Sequence, residues 1–326
     1  MMIRTSPWRA AVAAVLTAAS GAVLVPAAAQ AAAPMVKTQA PGYYRMMLGD
    51  FEVTALSDGT VDLQMDKLLT NIKPAQLNKA LERAHVSVPV ESSTNAFLIN
   101  TGTKLVLVDT GAGNLFGPTL GKLMNSLKAA GYQPEQIDAV LITHLHPDHL
   151  GGLVAGDKLA FPNATVHLAK AEADYWTSAE NAKKAPAEAQ SMFQGATAML
   201  TPYSTANKLK PFEGDTELVP GIKAINTPGH TPGHSVYSVE SKGQKLVLWG
   251  DLMHIAAVQF PDPSVTIQFD SDSKAAAAQR KKAYADAAKQ GYWVAAAHLP
   301  FPGIGHITAE GKGYAYFPAN YTTKQQ

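Results

Sequence analysis

The segment Leu141-Ile142-Thr143-His144-Leu145-His146-Pro147-Asp148-His149-Leu150-Gly151-Gly152 constrains this chain more than any other stretch. Residues two apart on an extended backbone project to the same side, so His144 and His146, at the end of a predicted strand, face one point. Pro147 forbids a ladder bond and turns the chain, which lets Asp148 and His149 approach a second point close by. Imidazole suits zinc and related metals, and a carboxylate completes such sites. Three histidines and an aspartate within six residues are read as metal ligands rather than as a polar turn with incidental histidines. The chain has no cysteine, so a metal must rest on imidazole and carboxylate, and neither a thiolate site nor a disulfide framework is possible.

Further candidates each lie just beyond a predicted strand. His230 follows Thr227-Pro228-Gly229, Asp251 follows Leu246 to Gly250, and His298 follows Trp293 to Ala297. Taken singly, Asp251 reads as a turn residue and His298 as a capped or core histidine. Beside the first cluster they read as ligands, because strand ends are rigid and the loops there can converge.

The surrounding pattern supplies those strands. Phe51 to Leu56 alternates polar and apolar residues and is expected to stop at Ser57-Asp58-Gly59. Ala96 to Ile99 and Leu105 to Val108 flank Asn100-Thr101-Gly102-Thr103 as a hairpin, and Ala139 to Ile142 reads as a buried strand. Ile222 to Ile225, Ser235 to Glu240, Lys245 to Trp249 and Trp293 to Ala297 are further strands. Helices are expected from Pro118 to the closing Gly131, over Lys170 to Met199 as two helices broken at Pro186, and over Lys274 to Lys289. The last has Asp272 or Ser273 as N-cap and Gly291 as C-cap. Runs of strands with helices at the middle and end of the chain imply packed sheets with helices outside.

A chain of 326 residues, 46% hydrophobic with net charge +1, can bury a sizeable core and lacks the basic excess of a nucleic-acid binder. Arg4 and Arg9 precede an apolar Ala10–Val25 run that ends in Pro26 and the small residues Ala27 to Ala33. The run is interrupted by Ser20 and Gly21 and is too short to span a membrane, so residues 1–31 read as a signal peptide, with export to the periplasm and no membrane anchor. Residues 32–326 read as one domain.

The His-x-His-x-Asp-His motif with separate His230, Asp251 and His298 resembles the metallo-β-lactamase fold. That resemblance implies an α+β chain, an αββα sandwich of two mixed β-sheets flanked by helices, with metals at one edge of the sheets. Asp109 in Val108-Asp109-Thr110-Gly111 resembles that fold's upstream aspartate, which supports ligands from behind. Pro41-Gly42-Tyr43-Tyr44, Leu115 to Gly121, Tyr132 to Gln136, Gly229 to His234, Ala256 to Phe260 and Phe301 to His306 resemble the methyl parathion hydrolases, exported dinuclear enzymes, over nearly the whole of the expected mature chain. By that likeness His144, His146 and His230 hold one divalent metal and Asp148, His149 and His298 the other, with Asp251 bridging and zinc the expected ion. The likeness also implies a homodimer. His234 matches a position that is not a ligand, and His85, His167 and His306 have no motif support.

Such a pair of metals implies hydrolysis by a metal-bridging hydroxide, with Asp148 or Asp251 passing a proton to the leaving group. Phe116, Trp176 and Phe193 match aromatic positions at the pocket mouth of the methyl parathion hydrolases, or else pack the core of a helical cap. His254, Ile267 and Phe269 stand where organophosphate-degrading members carry smaller or more aliphatic residues, which implies a narrower pocket. A planar ester or lactone needs less lateral room than a tetrahedral phosphotriester. The expected substrates are therefore lactones and aryl esters of the dihydrocoumarin kind, with organophosphate triesters as a side activity. The alternatives are a methyl parathion hydrolase proper, an all-histidine metallo-β-lactamase, and a non-catalytic periplasmic metal-binding protein. Acyl-homoserine lactonases share the ligand set but are typically shorter and unexported.

Overall fold

The computed structural model describes residues 33–323, so the expected signal peptide over 1–31 lies outside the described residues. The chain divides after Thr38, and the unit that begins at Gln39 carries the fold. A six-stranded sheet joins β1 (Tyr43–Leu48), β2 (Phe51–Leu63), β3 (Val90–Asn100), β4 (Leu105–Val108), β5 (Ala139–Leu141) and β6 (Thr165–His167) in that order. A seven-stranded sheet joins β7 (Thr216–Val219), β8 (Ile222–Asn226), β9 (Ser235–Ser241), β10 (Gln244–Leu248), β11 (Trp293–Ala295), β12 (Ile304–Glu310) and β13 (Gly313–Pro318). Both are mixed: β4, β5 and β6 run parallel, as do β10 and β11, while the other neighbours are antiparallel.

Alternation along the strands builds the layers. On β4, Val106 and Val108 point into a core shared with Ala224, Val239 and Leu248 of the second sheet. Leu105 and Leu107 point the other way, against α2 (Leu123–Ala129) and α6 (Ala187–Thr205) through Leu127, Phe193 and Tyr203. On β10, Leu246 and Leu248 face the first sheet, while Val247 meets Tyr284 and Ala287 of α8 (Ser273–Gln290). These two inner strands, β4 and β10, are thus apolar on both faces, and each aliphatic side chain so buried contributes about 1.5–3 kcal/mol. The result is the expected αββα sandwich.

Some boundaries differ from the sequence reading for identifiable reasons. β2 does not stop at Asp58. It bulges between Ser57 and Gly59 and continues to Leu63, because the Asp58 carboxylate turns inward to accept the backbone N–H groups of Ala112, Gly121 and Leu123. That same contact fixes Gly121 at φ +76, so the helix expected from Pro118 begins only at Leu123. The Lys170–Met199 region forms three helices rather than two: α4 (Lys170–Trp176), α5 (Ala179–Lys184) and α6. The break expected at Pro186 is present, and Ser178 adds an earlier one by capping the Asn181 N–H. At α8, Asp272 caps the Ala275 N–H and Gly291 closes the helix at φ +71, as read from the sequence. Among the described residues no helix is long and apolar enough to cross a membrane.

Candidate metal centre

Parallel neighbours place their C-terminal ends at the same sheet edge, and the candidate ligands occupy that edge. Asp109 follows β4, His144 to His149 follow β5, Asp251 follows β10 and His298 follows β11, while His230 lies in the loop from β8 to β9. The two sheets are tied together there by Ser235 N–H donating to Thr143 O, the Tyr237 hydroxyl donating to Ile142 O, and Asn95 N–H donating to Ala297 O. Gly250, before Asp251, has φ +53, and a Cβ there would stand 2.8 Å from His234 Nε2. Only glycine lets this turn close on the cluster.

One ligand atom each from His144, His146, His230 and Asp251 come within 4.8 Å of one another, and so do those of Asp148, His149 and His298. Asp251 reaches both groups. Its Oδ2 lies 3.3 Å from His230 Nε2 and 3.6 Å from His144 Nε2, and its Oδ1 lies 3.2 Å from His149 Nε2. Asp148 Oδ2 lies 3.7 Å from His149 Nε2 and 3.5 Å from His298 Nε2.

The chemistry of this set fits two divalent ions. His144 Nε2, His149 Nε2 and Asp251 Oδ1 are buried without a hydrogen-bond partner, and such orphaned groups cost about 1–3 kcal/mol each. Burial, then the neighbouring His149, holds His144 well below the ordinary imidazole range, leaving it neutral and able to donate a lone pair. Burial opposes charge on Asp251 as well, but the surrounding histidines hold its carboxyl well below the usual range. Burial keeps His146 neutral in the same way, while at His149, His230 and His298 burial is outweighed by the carboxylates, which raise their pKa, so a divalent cation would take the place of their protons beside the buried Asp251 carboxylate.

A second ring of groups orients these ligands. Asp109 Oδ2 lies 2.8 Å from His149 Nδ1, and Asp109 also accepts both the N–H and the hydroxyl of Thr143. Its backbone is left-handed, φ +61, a conformation aspartate tolerates better than most residues. His298 Nδ1 lies 2.8 Å from Ser93 O, and His230 Nδ1 lies 2.9 Å from Asp270 Oδ1. His234 Nε2 accepts the Asp251 N–H, and its Nδ1 sits 2.9 Å from the Thr227 hydroxyl, so it braces the Asp251 turn rather than joining either ligand group.

Sequence reasoning missed Asp270, Glu172 and Arg280, which carry no motif of their own. Glu172 is fully buried on α4 and accepts from Leu145 N–H, Trp176 Nε1–H and Gly233 N–H, clamping the loops that carry His144, His146 and His230. Arg280, fully buried on α8, donates to the carbonyls of Leu252, Pro263 and Val265, holding the Asp251–His254 turn against the Val265–Phe269 segment. A lysine cannot reproduce that fork. Arg280→Lys is expected to lower unfolding stability in urea by about 2–3 kcal/mol, since it leaves carbonyls unpaired; an unchanged midpoint would remove this role.

The expected aromatic rim divides. Trp176 and Phe193 are buried with ring centroids 4.7 Å apart, and Trp176 sits edge-on to His146 at 5.5 Å. Both belong to the core between α4 and α6, with Trp176 forming one side of the centre. Phe116 stands 41% exposed and is not brought into that stack. His254, Ile267 and Phe269 do come together: His254 and Ile267 are buried, and Phe269 lies 6.1 Å from the His254 ring. A cavity of about 460 Å³ reaches His254 and His298 and continues along Ile255, Phe260 and Tyr316, with Arg83 at its lining.

An αββα sandwich with imidazoles and carboxylates converging at its edge defines a metal-dependent hydrolase. The pattern of the metallo-beta-lactamase superfamily matches residues 89–314, and the chain belongs to that superfamily. Among solved structures it is similar to the hydrolase AbOPH of the beta-lactamase superfamily, with 40% identity, a TM-score of 0.84, and coverage of 87% of this chain and 100% of that one. It is also similar to AidC, a dizinc quorum-quenching lactonase in complex with its product, with 29% identity, a TM-score of 0.81, and coverage of 86% and 99%. An N-acyl homoserine lactonase of Bacillus cereus is 27% identical over 241 residues, 68% of this chain and 84% of the relative.

Proposed function

We propose that this protein is a dinuclear zinc hydrolase that opens lactones and cleaves aryl esters of the dihydrocoumarin kind, with organophosphate triesters as a side activity. The observation that carries the substrate choice is the wall beside Asp251, where His254 and Ile267 are buried and Phe269 packs against them. Filled volume there leaves room for a flat carbonyl substrate and crowds the two alkoxy arms of a phosphotriester. The likeness to lactonases, among them the dizinc enzyme with bound product, supports the lactone half of this reading. The methyl parathion hydrolase resemblance seen in the sequence supports the aryl ester and organophosphate half.

When bound, the metal pair supplies a water acidic enough to ionise near neutral pH and a Lewis acid for the carbonyl oxygen. The chain's residues supply the rest. Asp109, Asp270 and Ser93 O fix the imidazole rings that face the centre. Trp176, Ile267 and Phe269 exclude water from its flanks. Of the two carboxylates expected to pass a proton to the leaving group, Asp148 and Asp251, the greater exposure of the Asp148 side chain, 16% against 3%, supports Asp148 in that role. The apolar cavity along Ile255 and Phe260 offers space for the acyl or aryl portion.

A panel of dihydrocoumarin, N-hexanoyl homoserine lactone, phenyl acetate, methyl parathion and nitrocefin tests the ordering on the metallated protein. The lactones are expected to exceed methyl parathion in kcat/KM by about 10²-fold, a discrimination pocket shape can supply. Comparable or better efficiency on methyl parathion overturns the assignment, and dominant nitrocefin turnover makes the protein a β-lactamase.

A further inference from the structure

His254 is the one imidazole in the centre that neither the ligand motif nor the supporting ring of groups accounts for. It is buried beside Asp251, its Nε2 3.2 Å from Asp251 Oδ2 but without the alignment of a hydrogen bond, and neither of its ring nitrogens has a hydrogen-bond partner. Its ring stacks on that of His298 with centroids 5.3 Å apart and planes 19° from parallel, and it lies 4.9 Å from the His230 ring. Ligand atoms of Asp251, His254 and His298 lie within 4.8 Å of one another, the same closeness that joins the two groups of expected ligands.

A buried imidazole with two bare nitrogens pays a desolvation cost that a purely space-filling role does not recover. An apolar side chain would fill the same wall without it. The contrast with its neighbours is specific: His149, His230 and His298 each have Nδ1 against a carboxylate or carbonyl, which locks the ring. His254 Nδ1 has no such partner, so the ring is close enough to ligate yet no hydrogen bond locks it in one orientation.

We propose that His254 is an eighth, exchangeable metal donor, which joins Asp251 and His298 on one ion when the pocket is empty and gives up that position when substrate enters. Catalytic metal sites keep an open position for water or substrate, and here an internal imidazole competes for it. The proposal rests on the dinuclear reading, and its test separates the two.

Cobalt-loaded wild type, His254→Gln and His254→Phe are compared by visible absorption, by X-ray absorption fine structure, and by competition with a chromophoric chelator, with urea midpoints recorded for folding. Wild type is expected to hold two equivalents of metal, one of them about tenfold more tightly than in His254→Phe. The imidazole count per metal should fall in both variants, and the wild-type spectrum should shift toward that of His254→Phe when the hydrolysed lactone product is added. Wild type that binds no metal overturns the dinuclear reading itself. Two equivalents with affinities, imidazole counts and spectra unchanged in both folded variants overturn only the role of His254.

Discussion

Exhaustive chelation is expected to abolish hydrolysis of every substrate, and zinc, cobalt or manganese to restore it. The chain has no cysteine, and the ionisable groups buried at this edge among the described residues are imidazoles and carboxylates, the donors a metal-activated water requires. The expectation extends to pH. In the metal-free protein, burial works against a proton on His230, but Asp251 and Asp270 on either side raise its pKa to about 9. A metal must therefore displace that proton. Because the folded pKa lies above the ordinary imidazole range, the competition is strongest below it and fades as pH rises toward about 9. Apparent metal affinity should rise with pH across neutrality, with protons released on binding. Calorimetry in buffers of different ionisation enthalpy measures the release, and full activity in a verified metal-free sample would sink the assignment.

The cluster of candidate ligands could be read from the sequence because its chemistry is local. His144, His146, Asp148 and His149 sit within six residues, and alternation and turn residues around them mark the strands that end there. Parallel pairing of β4 with β5 and of β10 with β11 then carries Asp109 and His298 to the same edge. The groups that hold the ligands could not be read in this way. Asp270 acts on His230 from 40 residues away, and Glu172 joins Leu145 and Gly233 across 27 and 61 residues. Each is an isolated charged residue whose burial is decided by packing, so nothing in its neighbours distinguishes it from a surface carboxylate. The same reason misplaced the end of β2. Asp58 in a Ser-Asp-Gly triplet reads as a turn, whereas its partners Ala112, Gly121 and Leu123 lie more than fifty residues on. Trp176 and Phe193 show the opposite case. Their aromatic character was plain, but whether they line the mouth or fill the core depends on how α4 packs on α6, and most of their surface went to the core.

Glu172 provides the second large effect expected of a single substitution. Its two oxygens take three donors from three places: Leu145 N–H at 2.9 Å, Trp176 Nε1–H at 2.7 Å and Gly233 N–H at 2.8 Å. The side chain is wholly buried, so none of these donors finds water when the carboxylate is removed. Each bare donor costs about 1–3 kcal/mol, and Glu172→Ala should therefore lose about 3 kcal/mol or more of unfolding stability. Glu172→Gln keeps the shape but points an amide N–H at one of the donors, so it should lose an intermediate amount. The effect on the centre is separable from the effect on stability. Leu145 lies between His144 and His146, and Gly233 lies three residues after His230, so the clamp sets the spacing of three ligands held on two loops. At a temperature where the Gln variant is fully folded by circular dichroism, it should still release its metal to a chelator faster than wild type, with kcat/KM reduced in step. Unaltered metal release in that folded variant would reduce Glu172 to a packing residue.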